Sequence, residues 1–182
     1  MAIYLDHAAT TPMRPEVLAE YVAALGVVGN PSSIHSSGQA AKGMLETARE
    51  TVASALGVDP VQVTFTSGGT ESINLALKGM FWQRNPVVEP AETSRRISAR
   101  SIIRPRILST RAEHHATIDA LEWLERHEDA VIDWIPVDEF GRMDLAALQA
   151  AMGDDVALVT TLLANNEVGT VQPVAEIVRI AG

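Results

Sequence analysis

Residues 63–77 read VTFTSGGTESINLAL, and no other stretch of the chain restricts the fold so narrowly. Val63, Phe65 and the threonine between them suit a strand, whereas Ile73, Leu75, Ala76 and Leu77 open an apolar helical face. The strand must hand over to the helix within Ser67-Gly68-Gly69-Thr70-Glu71. Glycines permit that tight reversal and let a ligand approach the backbone, while the unpaired N–H groups of a first helical turn, backed by the helix dipole, attract a phosphate. The Thr70 hydroxyl offers one more donor. The same residues also fit a plain βα turn capped by Ser67 or Thr70, and both readings stay open on this segment alone.

The rest of the chain sets this segment among alternating strands and helices. Ile3 to Leu5 is a short extended piece, followed by the small polar loop Asp6-His7-Ala8-Ala9-Thr10-Thr11-Pro12. Pro15 fits a first helical position, and Val17, Leu18, Tyr21, Val22 and Leu25 recur at helical spacing up to Gly26. Residues 29–38, GNPSSIHSSG, are turn chemistry throughout. A helix over about 39–56 is expected to turn Met44, Leu45, Ala48, Val52 and Leu56 inward, with Gly57 closing it. Beyond the helix at 70–82, residues 107–110 predict a strand, 115–127 a helix, 131–137 a strand, 138–141 a turn and 145–152 a short helix. Residues 156–164 predict a continuously apolar strand, and Pro173 the start of a final helix. Such alternation, with one strand apolar on both faces, predicts an α/β fold: a mostly parallel sheet with helices on both faces.

A net charge of −9 argues against a general nucleic-acid binder or an anionic-membrane binder, and favours a small-molecule site. No cysteine is present, so neither a disulfide framework nor thiolate metal chemistry is available, and no metal site is expected. The start of the chain has no basic segment followed by an apolar one, and no run approaches the roughly 18 apolar residues of a membrane helix. A cytoplasmic location is the expectation. One region inverts the overall charge: residues 83–106 carry Arg84, Arg95, Arg96, Arg100, Arg104 and Arg106 against Glu89 and Glu92. It reads as a solvated surface insertion or as a docking patch for an acidic partner.

In a parallel sheet, ligands sit in the crevice beyond the carboxyl ends of the strands. Three polar clusters fall there: residues 67–71, Glu113-His114-His115, and Asn165-Asn166-Glu167. Singly, a histidine at a helix start or an Asn-Asn pair after a strand is more often a solvated turn. Together, a phosphate cradle, an imidazole and a carboxamide on one sheet edge are a natural way to hold a phosphorylated aromatic cofactor.

Five segments, YLDHAATTP at 4–12, GNPSSIHSSGQAA at 29–41, FTSGGTESINLAL at 65–77, AEHHA at 112–116 and NNEVGTVQP at 165–173, occur in an order that resembles the amino-terminal part of the NifS/IscS-type cysteine desulfurases. These are pyridoxal-phosphate enzymes of the class V aminotransferase family, with a large domain of the aspartate-aminotransferase type (PLP fold type I). The resemblance implies that Gly69 and Thr70 bind the cofactor phosphate. It implies that His114 stacks on the pyridine ring and shuttles protons, and that Asn166 hydrogen-bonds the ring hydroxyl. Asn30, His35 and Gln172 fall in matching segments, as substrate or active-site loop residues. It implies transfer of sulfur from L-cysteine to an enzyme cysteine as a persulfide, with release of L-alanine, for iron–sulfur cluster or other sulfur-cofactor assembly. A homodimer and a sulfur-acceptor scaffold protein are the implied partners.

By the same resemblance, the anchoring lysine, the pyridine-nitrogen aspartate, the sulfur-accepting cysteine and the substrate-carboxylate arginine lie beyond Gly182. Lys42 and Lys78 are the only lysines, and both read as solvated helix charges. The expected organisation is an N-terminal extended segment at 1–14 and an incomplete cofactor-binding large domain at 15–182, with the Arg-rich insertion at about 83–106. Two other readings accompany the desulfurase: selenocysteine lyase or another class V aminotransferase-like enzyme, and a non-catalytic phosphate-ligand or partner-binding module.

Overall fold

The computed structural model describes residues 3–86 and 103–182. The bulk of the arginine-rich stretch expected at 83–106 therefore lies outside the described residues. The chain divides into two compact units, residues 1–65 and 66–182. No helix among the described residues is long and apolar enough to cross a membrane.

The first unit holds α1 (Pro15–Leu25), α2 (Ser36–Leu56) and a 3-10 turn at Pro60–Gln62. Proline at the first turn opens α1 without losing an intrahelical bond. His35 caps α2, its Nδ1 accepting from the Gly38 amide at 3.3 Å, which is why this helix begins three residues before the expected Gln39. Gly38 has a packing reason of its own: a Cβ there would stand 2.4 Å from the Ser33 carbonyl oxygen and 2.7 Å from that of Asn30. At the other end Gly57, at φ +68°, supplies the left-handed C-cap. Helical spacing located both helices but not a cover for their apolar faces. Val17, Leu18, Tyr21, Val22 and Leu25 of α1 are exposed, as are Met44, Val52 and Leu56 of α2, which were expected to point inward.

The second unit carries the sheet. Its elements are α3 (Gly69–Arg84), β1 (Arg106–Ser109), α4 (His115–Glu128), β2 (Val131–Trp134), α5 (Leu145–Ala151), β3 (Val156–Val159) and α6 (Val174–Ala181). The strands are parallel in the order β2-β1-β3, with Ile107 opposite Ile132 on one side and Leu158 on the other. Because side chains alternate along a strand, Ile107, Ile132 and Leu158 share one face. There they pack with Leu77 and Phe81 of α3 and with Leu121 and Leu124 of α4. Leu108 faces the other way and packs with Leu148 of α5 and Ile177 of α6. Each fully buried side chain of this kind contributes roughly 1.5–3 kcal/mol by leaving water. The α/β class with helices on both faces is thus realised in this unit. From β1 the chain moves out to β2 and then back past β1 to β3. Right-handed crossovers in opposite directions must use opposite faces, which puts α4 and α5 on different sides.

The apolar run at 156–164 forms a ladder only through Val159. Thr160 makes a last bond to the Leu108 carbonyl at 3.0 Å, and the chain then leaves the sheet, with Ala164 bridging antiparallel to Val171. Residues 63–65, expected as a strand, belong to no strand in the described structure.

Two polar clamps hold the amino-terminal end of the sheet. Arg106 reaches Asp133 of β2 at 2.6 Å, Asp155 before β3 at 3.0 Å and the Ala151 carbonyl at 2.9 Å. Its positive charge is favoured by these partners, Asp133 first. Asn85, fully buried after α3, donates to the carbonyls of Phe81 (3.0 Å) and Arg104 (2.9 Å) and accepts from the amides of Ile103 (2.9 Å) and Arg104 (2.8 Å). All four hydrogen-bonding positions of that side chain are filled.

Candidate functional site

At the carboxyl end of the sheet, three segments converge: the start of α3, the loop from β1 into α4, and the loop after β3. Helix α3 begins at Gly69 in the turn that the sequence marks as a phosphate cradle. The amides of its first turn have no acceptor four residues back, and the space where a Cβ would stand on Gly68 or Gly69 is free of atoms within 4 Å. Glu71 leaves this opening clear. Its carboxylate turns back onto Ser67, accepting from hydroxyl and amide at 2.6 Å each, and those bonds hold its pKa below the ordinary range.

The loop from β1 presents His114 as the N-cap of α4, with its Nδ1 accepting from the Ala116 amide at 3.0 Å. In the neutral ring the proton therefore sits on Nε2. Glu113 beside it is half-buried and takes the Leu162 amide at 2.5 Å. Burial holds its carboxyl above the ordinary range, while hydrogen bonds from the Leu162 amide and the Thr117 and Thr161 hydroxyls pull the other way. After β3, Asn165 donates to the Ala112 carbonyl at 2.8 Å and accepts from the amides of Glu167 and Val168. Asn166 is exposed and donates to Glu167 at 2.9 Å.

Gly69, Thr70, His114 and Asn166 line one cavity of about 370 Å³, walled by Ile73, Ala116, Leu162 and Ala164. The four residues that the resemblance assigns to the cofactor are thus brought together on apolar walls. Gln172 is engaged elsewhere. Buried under the turn at 138–143, its Oε1 accepts from the Met143 amide at 2.9 Å and its Nε2 donates to the Gly141 carbonyl at 2.7 Å. In the first unit, the Asn30 side chain accepts from the Ser32 amide at 2.9 Å, and His35 is spent on its helix cap. Lys78, read from the sequence as a solvated charge, instead lies over the Trp123 ring at 4.0 Å from its centre.

The sequence pattern of the aminotransferase class-V family matches residues 3–182. The chain belongs to that family. A curated relative, an IscS-like cysteine desulfurase of Mycobacterium tuberculosis, is 46% identical over 180 residues, covering 98% of this chain and 42% of its own length. Among solved structures, a NifS-like protein superposes with a TM-score of 0.84 at 35% identity, covering 100% of this chain and 45% of that one. SspA in complex with cysteine does so with a TM-score of 0.82 at 28% identity, over 98% of this chain and 47% of that one. This class-V chain thus spans somewhat under half the length of the relatives it matches.

Reading by residue type missed Glu113 and Asn165 as individuals, although both lay inside the marked clusters. A pair such as Asn165-Asn166 does not announce which carboxamide faces the cavity and which faces the chain. The wall residues Leu162 and Ala164 were hidden by their assignment to a strand.

Proposed function

We propose that this chain forms the cofactor-binding part of a pyridoxal-phosphate-dependent cysteine desulfurase that takes sulfur from L-cysteine and releases L-alanine. The observation that carries the reading is the convergence of Gly69, Thr70, His114 and Asn166 on one cavity in a class-V chain. The cavity suits a phosphorylated aromatic ring: unpaired helix-start amides at one side, apolar Ile73, Ala116, Leu162 and Ala164 for a flat ring, and a volume of about 370 Å³. When bound, pyridoxal phosphate supplies the electron sink that stabilises a carbanion at the substrate α-carbon.

The chain's own residues do the binding and the proton handling. Gly69 and Thr70 donate backbone N–H groups, and Thr70 its hydroxyl, to the phosphate. His114, with Nδ1 engaged by Ala116, keeps Nε2 free to hold or pass a proton and offers its ring face for stacking. Asn166 offers its carboxamide to the ring hydroxyl. The cysteine bound in SspA supports the choice of substrate. A homodimer, and delivery of the persulfide to a scaffold protein for iron–sulfur cluster assembly in the cytoplasm, belong to the same proposal. So does the organisation in which residues 15–182 are part of one large cofactor-binding domain.

The test is to purify the natural full-length protein, titrate it with pyridoxal phosphate, and measure L-alanine and sulfide formed from L-cysteine. Cofactor binding with equimolar alanine and reducible sulfur is expected. Absence of any bound cofactor sinks the reading, whereas cofactor binding without alanine release leaves a non-catalytic module.

A further inference from the structure

The two loops that frame the cavity are stitched to each other reciprocally. Glu113, on the loop from β1, takes the amide of Leu162 at 2.5 Å on the loop after β3. Asn165, on the loop after β3, gives its amide N–H to the carbonyl of Ala112 at 2.8 Å on the loop from β1. Each stitching residue stands immediately before a cavity residue: Glu113 before His114, Asn165 before Asn166. Leu162, on the receiving end of one stitch, is itself a cavity wall. We infer that Glu113 and Asn165 are positioning residues that fix the separation and facing of His114 and Asn166 across the cavity, so that these two residues engage the cofactor ring as one rigid unit. The inference rests on the cofactor reading above and extends it to residues that do not line that cavity.

The chemistry of each stitch suits this work. Glu113 is half-buried, and its carboxyl group is held to the far loop by the Leu162 amide. Asn165 uses both ends of its carboxamide, since Oδ1 also closes the turn at Glu167 (2.8 Å) and Val168 (3.0 Å) around the neighbour of Asn166. The two loops share no ladder with each other at this point, because β1 and β3 have already ended at Ser109 and Val159, and the loop after β3 pairs only with its own return at Ala164 and Val171. Cutting a stitch therefore frees the adjacent cavity residue while leaving the strands paired.

In the full-length protein, Glu113→Ala and Asn165→Ala are expected to weaken pyridoxal phosphate binding about tenfold each. They are also expected to reduce the visible circular dichroism per bound cofactor, which reports how tightly the ring is held in one orientation. Glu113→Gln keeps an acceptor for the Leu162 amide and is expected to stay within about twofold of the parent. Arg106→Met, which loosens the opposite end of the same sheet, serves as the control for lost stability and should leave both signals unchanged. Three results overturn the inference: unchanged affinity and dichroism in both alanine variants, equal losses in Arg106→Met, or a Glu113→Gln variant as impaired as Glu113→Ala. Should either alanine variant fail to fold, Asn165→Asp, which removes the donor to the Ala112 carbonyl and keeps the oxygen that closes the turn, must still lower the dichroism per cofactor, and an unchanged signal there refutes the role. Failure of the parent protein to bind any cofactor would refute the functional reading instead, and is told apart by its appearing before any substitution.

Discussion

Replacing Arg106 by methionine removes a charge that ties three elements together and leaves the aliphatic stem in place. The guanidinium meets Asp133 at 2.6 Å with side chains 25% and 33% exposed, Asp155 at 3.0 Å with the latter 49% exposed, and the Ala151 carbonyl at 2.9 Å. The first pair is shielded enough to contribute about 1–1.5 kcal/mol, the more exposed second about 0.5, and the hydrogen bond to the carbonyl about 1. Arg106→Met is therefore expected to cost about 2–3 kcal/mol, or roughly 5–10 °C in melting temperature for a domain of this size. Urea unfolding of the full-length protein, at low and high sodium chloride, measures it, since urea adds no ions of its own. Half or more of the effect should survive high salt, because the Asp133 pair is only partly open to screening. A double-mutant cycle with Asp133→Asn should return a coupling of about 1 kcal/mol. A total loss below about 0.5 kcal/mol, or a loss abolished by salt, would refute the view that this arginine staples the strand starts.

Gly69→Ala places a methyl group where no atom lies within 4 Å, so folding stability should be unchanged or slightly improved while pyridoxal phosphate affinity falls about tenfold; equal affinity would mean that Gly69 serves only the turn. His114→Ala should lower kcat at least about a hundredfold while costing only about 1 kcal/mol of stability for the lost helix cap, and His115→Ala, the exposed neighbour, should change neither; equal activities remove His114 from the chemistry. Glu113 has a folded-state pKa raised by burial above its ordinary value of 4.5, so its contribution to stability is fully present below that value and is lost as pH rises through the raised one. Melting curves of Glu113→Gln should accordingly gain on the parent as pH rises above 4.5, and a difference independent of pH contradicts the shift. Gln172→Leu leaves the Met143 amide and the Gly141 carbonyl without their buried partner and should cost about 2–3 kcal/mol in urea unfolding.

Much of this architecture was legible because its signals are local. Alternation between apolar strands and helical periodicity specified the parallel sheet, and α4 ends at Glu128 where a helix through His127 was expected. The Gly68-Gly69 junction marked the start of α3, and motif order singled out four residues that line one cavity. What escaped was nonlocal. Residues 63–65 have strand composition, yet composition names no pairing partner. The run at 156–164 is apolar apart from Thr160 and Thr161, but being apolar reports burial and not ladder membership, so the sheet ends at Val159 while Leu162 and Ala164 wall the cavity. Gln172 fell in a matching segment, and only the packing of the turn at 138–143 reveals that its amide is already committed. The ties made by Glu113 and Asn165 span 49 and 53 residues of sequence, beyond the reach of any spacing rule.

Asn85 has a consequence for how this lineage can change. By bonding Phe81 on one side and Ile103 and Arg104 on the other, one side chain closes the base of the connection between α3 and β1. The geometry of both elements is then set at the base by Asn85 itself and does not depend on how many residues stand between its two sides. Residues can accumulate or be lost there while α3 and β1 stay in register. The cavity lies at the other end of β1, past Ser109, so the chemistry is insulated from such drift. The junction is therefore a natural graft point, where a recognition segment or an affinity tag can be carried without disturbing the residues that would hold the cofactor.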